Sequence, residues 1–249
     1  MGTSISESLV IIPTYNEAGN LEALVPRVLE HKAFDVYVVD DNSPDGTGEL
    51  ADGLALESGG RVAVVHRPWK RGLGVALATG FRYALGKGYR YVFQMDADLS
   101  HDPRYLPDMR RILEEADVVI GSRYAEGGQL VDWPAWRYGL SQLGSLYSRL
   151  LLRMPVRDPT GGFKGFRREA LEAIMSERLL AKGFAVQVEV NYRCFRSGLH
   201  VVEVPTVFTD RARGRSKMTM GIALEALLTV ARLRLAPPSS HRVVRSWRM

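Results

Sequence analysis

Asp96-Ala97-Asp98 closes an apolar run and is the densest chemical signal in the chain. Two carboxylates two residues apart on an extended turn can face one hard divalent cation, and an all-oxygen donor set selects Mg²⁺ or Mn²⁺ over soft metals. Such an ion would bridge pyrophosphate oxygens and neutralise charge on a leaving diphosphate. His101 stands near enough to join that shell or to hold a phosphate. A solvated acidic turn is the plainer reading. It suits Asp102, which stands just before Pro103 where a helix wants a cap. It suits Asp96 and Asp98 less, because an apolar strand delivers them.

Three further clusters offer the groups a nucleotide needs. Asp40-Asp41-Asn42-Ser43 also follows an apolar run, and a carboxylate there can accept hydrogen bonds from a base or ribose; the same residues make an ordinary turn. Pro13-Thr14-Tyr15-Asn16-Glu17 offers Tyr15 for stacking and Glu17 for accepting base donors, with Asn16 or Asn20 as cap of the following helix. Lys70-Arg71-Gly72-Leu73-Gly74 sets two cations and a glycine-rich turn at a helix start, a place that holds phosphate. It matches neither a Walker A sequence nor a dinucleotide fingerprint. A fifth group is basic: Arg123, Arg137, Arg211, Arg213, Arg215 and Lys217. Guanidinium forks suit phosphate oxygens, although Arg213 and Arg215 read as solvated surface.

The elements that must hold these residues alternate. Apolar runs at residues 8–12, 35–39, 61–65, 89–95 and 117–120 read as strands. Leu21, Leu24, Val25, Val28 and Leu29 keep helical spacing, and further helices are expected over 47–57, 73–85 and 103–115. Short buried strands separated by helices imply an α/β fold, a mostly parallel sheet flanked by helices on both faces. Ligands of such sheets bind beyond the carboxyl ends of the strands. The polar clusters at 14–17, 40–45, 96–102 and 121–123 all fall there. The second half reads as a loop over 126–138, a helix over 140–152 and a turn over 158–165. Helices near 168–175 and 186–197, a strand over 201–207, a basic loop over 209–217 and a last helix over 218–235 follow. No repeat or linker divides the chain, so residues 1–235 read as one domain and 236–249 as a basic tail.

The chain has 249 residues, 46% of them hydrophobic, enough for a real core. Its net charge of +5 suits nucleic acid, phosphate ligands or an anionic lipid surface without choosing among them. A nucleic-acid-binding protein would explain the charge but not an acidic pair at a strand end, and no nucleic-acid motif is present. The single cysteine, Cys194, excludes an internal disulfide and any multi-cysteine metal site. It fits a reducing compartment and reads as a small buried hydrophobe. The N-terminus has no secretory pattern, and no apolar run reaches the roughly 18 residues that cross a bilayer.

Taken in order, PTYNE (13–17), DDNSPDGT (40–47), GLG (72–74), DADLSH (96–101), GSRY (121–124), DPTGGFKGF (158–166) and the spaced Arg211, Gly214, Ser216 and Lys217 resemble the inverting family 2 glycosyltransferases of GT-A fold. Within that family they resemble the mannose synthases that act on dolichyl or polyprenyl phosphate. The likeness spans about residues 8–235. It implies transfer of mannose from GDP-mannose to the lipid phosphate with inversion, or of glucose from UDP-glucose by an enzyme of the same fold. It implies that Pro13, Tyr15, Glu17, Asp41, Lys70 and Ala97 hold the nucleotide sugar, with Asp96 and Asp98 on the metal, Mg²⁺ or Mn²⁺, and the diphosphate. Some relatives carry Gln where Ser100 stands and use it as a third ligand, so water or His101 would complete the shell here. Arg123, Arg137, Ser141, Arg211 and Lys217 match positions that bind the acceptor phosphate, Arg123 and Arg211 also being assigned to catalysis. The likeness is to short forms without transmembrane helices. Those lie peripherally on the cytoplasmic face of a membrane, through an amphipathic helix over 218–235 or a separate membrane-anchored subunit. A nucleotide-binding regulator without turnover is the remaining alternative, and the intact Asp96 and Asp98 count against it.

Overall fold

The computed structural model describes residues 6–131, 133–209 and 220–235, leaving aside the side chains of 136, 137, 220 and 222–224. Five strands fall where the apolar runs place them: β1 (Ser8–Thr14), β2 (Phe34–Asp40), β3 (Val62–His66), β4 (Tyr91–Gln94) and β5 (Val118–Ser122). Helices α1 (Ala18–Leu29), α2 (Thr47–Glu57), α3 (Leu73–Lys87) and α4 (Leu106–Ile112) connect them. A short 3₁₀ turn at Pro103–Tyr105 leads into α4, and Asp102 caps it by accepting from the Arg104 N–H at 3.0 Å. The remaining elements are β6 (Gln129–Val131), α5 (Ala135–Leu152), β7 (Lys164–Arg167), α6 (Arg168–Met175), α7 (Val186–Arg196), β8 (Val201–Pro205), β9 (Val207–Thr209) and α8 (Met220–Leu235).

Seven strands form one sheet in the order β3-β2-β1-β4-β7-β5-β8. Every neighbouring pair is parallel except those of β7, which runs antiparallel to both β4 and β5. Successive β1 side chains serve opposite faces, as strand geometry demands. Leu9 and Ile11 pack with Leu77, Phe81, Ile174 and Val190, while Val10 and Ile12 pack with Leu24, Val38 and Met109. The sheet is thus covered on both faces, which is why its central strands are apolar throughout. Helix α8 packs through Val230 and Leu233 on Leu152, Met154, Val188 and Tyr192. Among the described residues no helix is long and apolar enough to cross a membrane.

Three expectations are corrected. The turn over 158–165 runs into a strand, β7, that fills the space between β4 and β5. The loop over 126–138 holds β6 and the start of α5, whose extended cap residue Pro134 lets the helix begin at Ala135. The strand over 201–207 is two strands: the Thr206 amide turns to the Ser122 carbonyl at 3.1 Å, and β9 pairs instead with β6.

Candidate active site

Adjacent parallel strands deliver the β1, β2 and β4 turns to one edge of the sheet. The first two turns are laced together. Thr14 Oγ1 donates to Asp40 Oδ1 at 2.9 Å, and Asp40 also accepts the Ser43 hydroxyl at 2.6 Å and the Ser43 amide at 3.0 Å. The Asn16 amide donates to Ser43 Oγ and the Glu17 amide to Thr47 Oγ1, at 3.0 and 2.9 Å. Asp40 is therefore a structural carboxylate, and Asp41 is the one of the pair left for other work. Neither Asn16 nor Asn20 caps α1: Asn20 Nδ2 donates instead to Glu17 Oε2 at 2.8 Å, orienting that buried carboxylate. Lys70 Nζ sits 3.8 Å from the centroid of the Tyr15 ring, which joins two of the expected nucleotide residues directly.

Asp41 is buried beside a cation that sequence reasoning missed. Arg67 Nη1 lies 2.6 Å from Asp41 Oδ1, yet neither terminal nitrogen of Arg67 aligns in a hydrogen bond. Burial pushes the Asp41 carboxyl above its usual range, with Arg67 pulling the other way. Burial likewise lowers Arg67, opposed by Asp41. The Arg71 amide also donates to Asp41 Oδ2 at 3.3 Å, tying the glycine-rich turn to this carboxylate.

Beyond β4, Asp98 Oδ1 accepts the Ser100 amide at 3.2 Å and the Ser100 hydroxyl. Ser100 thus orients Asp98, and its hydroxyl proton is spent on it. Leu99 between them has φ 63°, a left-handed conformation costing a side chain of this kind roughly 1 kcal/mol or more. His101 is buried, stacked on Phe163 with ring centroids 5.1 Å apart and its Nδ1 accepting the Asp96 N–H at 3.1 Å. Burial lowers its pKa, so the ring is neutral with its proton on Nε2.

The segment before β7 closes the site from behind, and nearly every group in it is held. Asp158 accepts from the Arg123 amide, Nε and Nη2 at 3.0, 2.7 and 2.6 Å, and its own amide donates to Glu203 at 2.9 Å. The Pro159 carbonyl accepts from Asn191 at 2.9 Å, that of Gly161 from Lys164 Nζ at 2.6 Å, and that of Gly162 from Gln94 at 2.8 Å. Gln187 Oε1 accepts from both Gln94 and Lys164 at 2.6 Å. A methyl group on Gly162 would lie 3.0 Å from Asp96 Oδ2, so the bare backbone rests against the Asp96 carboxylate. Asp158, Lys164, Gln94 and Gln187 were not singled out as site residues. The signal for the first two was present in DPTGGFKGF, where an acid and a lysine flank two glycines.

Arg123 stands where β5 ends, but its guanidinium is committed inward. Burial works against its charge and Asp158 more than offsets this, holding Arg123 above its ordinary pKa and Asp158 below. The rings of Tyr124, Trp133 and Phe208 surround it at 5.2, 5.8 and 5.3 Å. Ser141, on α5, accepts from the Tyr124 hydroxyl at 2.9 Å. Arg211, Lys217 and the side chain of Arg137 lie outside the described residues, as do Arg213, Arg215 and the tail 236–249.

A mostly parallel seven-stranded sheet flanked by helices, with its acidic turns gathered at one edge, is the GT-A fold of glycosyltransferases. The sequence model of Glycosyl transferase family 2 matches residues 9–175. An undecaprenyl-phosphate mannosyltransferase from Micrococcus luteus is 44% identical over 229 residues, 92% of this chain and 94% of that one. A polyprenol monophosphomannose synthase from Mycolicibacterium smegmatis is 46% identical over 227 residues, 90% of this chain and 85% of that one. The chain belongs to glycosyl transferase family 2. Its fold is shared with glucosyl-3-phosphoglycerate synthase from Mycobacterium tuberculosis, solved with Mn²⁺, UDP and glucosyl-3-phosphoglycerate. That match has TM-score 0.67 and 20% identity, and covers 94% of this chain and 81% of the other. The mannosyltransferase PcManGT from Pyrobaculum calidifontis, solved with GDP-Man and Mn²⁺, matches at TM-score 0.56 and 21% identity over 94% and 71% of the two chains.

Proposed function

We propose that this enzyme transfers mannose from GDP-mannose to a dolichyl or polyprenyl phosphate, giving a β-linked product by one displacement with inversion. The observation that carries this reading is the 44% and 46% identity, over nearly the whole chain, to two enzymes named for mannosyl transfer to such lipids. The site agrees with it. Asp96 and Asp98 would hold Mg²⁺ or Mn²⁺, being oxygen donors on one turn, with the Ala97 backbone between them. Among the described residues no third His, Cys, Asp or Glu gathers there, so phosphate oxygens and water would complete the shell. When bound, the ion supplies positive charge for the departing diphosphate.

Pro13, Tyr15, Glu17, Asp41 and Lys70 hold the nucleoside and its phosphates. The acceptor phosphate is already anionic at neutral pH, so its oxygen attacks the sugar C1 without losing a proton. The new C1–O bond forms as the bond to the diphosphate breaks, and GDP leaves with the electron pair. No general base is needed, unlike attack by a sugar hydroxyl. The protein's task is orientation and charge. Arg123, locked inward by Asp158, is a fixed buried ion pair at the end of β5. Ser141, Arg137, Arg211 and Lys217 are assigned to the acceptor phosphate. A lipid acceptor places the protein peripherally on the cytoplasmic face of a membrane, alone or with a membrane-anchored subunit.

The test is product formation from labelled GDP-mannose and a polyprenyl phosphate with Mg²⁺, Mn²⁺ or EDTA. Metal-dependent mannolipid should appear, and Asp98→Ala should slow it by on the order of 10³-fold. Turnover with UDP-glucose alone would move the donor, and near-normal turnover by Asp98→Ala would sink the metal assignment.

A further inference from the structure

Four cations to which the proposed reaction gives no role surround one cavity. Its volume is about 560 Å³, and it lies between α3 and the segment that joins α6 to α7. Arg71 and Arg82 line it from the α3 side, Arg178 and Lys182 from the segment opposite. All four are exposed, none meets a carboxylate among the described residues, and no acid lines the space. Its floor is apolar, made by Val75, Ala78 and Leu179.

The segment that carries Arg178 and Lys182 is locked in place. Glu189, wholly buried, accepts from the Leu180 amide at 2.9 Å and from the Ala181 amide at 2.7 Å. Arg193 pairs with Glu189 at 2.8 Å and donates to the carbonyls of Ile174, Glu177 and Arg178 at 2.8, 2.8 and 2.7 Å. The Gly74 amide donates to the Lys182 carbonyl at 2.8 Å, and a side chain on Gly72 or Gly74 would strike the carbonyls of Lys182 and Ala181. Burying an ion pair to hold a loop costs desolvation, and gathering like charges costs repulsion. An ordinary surface intersperses acids among its cations. Both costs fall here on one rigid cavity, the pattern of a place kept for binding.

Charge and size name the occupant. Guanidinium forks and an ammonium suit phosphate oxygens, and the volume is that of a small-molecule pocket. Cations on two facing walls suit an anion charged at both ends, as a diphosphate is and a single phosphate is not. The cavity also leads away from the nucleotide turns. The Arg71 amide donates to Asp41 at 3.3 Å, whereas Arg82 stands about 12 Å further along α3 than Gly74.

We propose that this cavity binds a soluble anion of the diphosphate class, at a site separate from the one that holds the nucleotide. Calorimetry with inorganic pyrophosphate in EDTA tests it, with and without saturating GDP. The wild type should bind pyrophosphate, and GDP should leave that affinity within about twofold. Arg82→Gln/Arg178→Gln should weaken it by on the order of tenfold or more, at an unchanged melting temperature and an unchanged affinity for GDP. Displacement of pyrophosphate by GDP would overturn the proposal, since the anion would then sit where the donor's own diphosphate goes. So would wild-type affinity in the double variant, which would place the anion elsewhere. Failure of the wild type to bind pyrophosphate would overturn it as well, and uptake of that protein by phosphatidic acid vesicles would then assign the four cations to a headgroup layer.

Discussion

Adding one methyl group at Gly162 should slow turnover while leaving the protein folded. A Cβ there lies 3.0 and 3.3 Å from the two Asp96 carboxylate oxygens and 3.2 Å from His101 Cε1. Non-bonded heavy atoms rest at about 3.5 Å and beyond, so the carboxylate must retreat by about 0.5 Å. If a misplacement of about 1 Å costs on the order of 10²-fold, half of that costs roughly tenfold, or about 1.4 kcal/mol. Gly162 is not among the residues with positive φ, so alanine adopts its backbone without strain. The loss of stability should stay near 1 kcal/mol, the low end for an overpacked site. Two controls separate crowding at Asp96 from crowding in general. A Cβ on Gly161 meets Asp158 at 3.2 Å, so Gly161→Ala should cost stability without changing metal dependence. Gly86 on α3 has nothing within 4 Å, and alanine there should stabilise by about 0.5–1 kcal/mol. Initial rates of mannolipid formation across a Mn²⁺ titration read the difference. For Gly162→Ala, kcat should fall and half-saturating Mn²⁺ should rise. A kcat within about twofold of wild type across the titration would refute Asp96 as a position-critical metal ligand.

Asp158→Asn leaves the buried Arg123 charge uncompensated and should cost about 3–5 kcal/mol in urea unfolding; adding Arg123→Met should recover much of it, and no recovery would contradict the pairing. Burial lowers Lys164 to about 7, from its ordinary 10.5. Because the unfolded chain keeps that proton to higher pH, stability should climb from about pH 7 toward pH 10 by up to about 1.4 kcal/mol per unit. Lys164→Met should lose this slope, and parallel pH profiles for the two proteins would dismiss the depressed lysine. Tyr15→Ala and Lys70→Ala should each weaken GDP binding by about tenfold in calorimetry; unchanged affinity would remove both from the nucleotide pocket.

The first half of the chain was legible because its signals are local. Strands such as β2, apolar over Val36 to Val39, end in acids, and a polar turn after an apolar run is visible without any partner. α2 and α6 fall on the expected residues for the same reason. β7 was not legible: Lys-Gly-Phe-Arg shows no strand period, and it is a strand only because β4 and β5 lie on either side. The site divides in the same way. Asp96 and Asp98 stand out in sequence. The partner of Arg123 is 35 residues away, and the aspartate that serves structure, Asp40, differs from Asp41 only in which way the turn points it. Arg67 escaped notice because a lone arginine after a strand has no pattern.

The reversed strand also orders events in time. β4, which leads to Asp96, gains its second neighbour only through pairings such as Gln94 with Lys164. As the chain leaves the ribosome, β4 and β5 emerge with a strand-wide gap between them and their edges open. Open apolar edges invite pairing with other chains, and sheets closed by distant segments form slowly. The same late segment brings Gly162 against Asp96 and Asp158 to Arg123, so the packing around both residues is completed in the step that seals the sheet. A nascent chain that has not yet delivered residues 158–167 can lace its β1 and β2 turns together and still lacks the segment that packs behind Asp96.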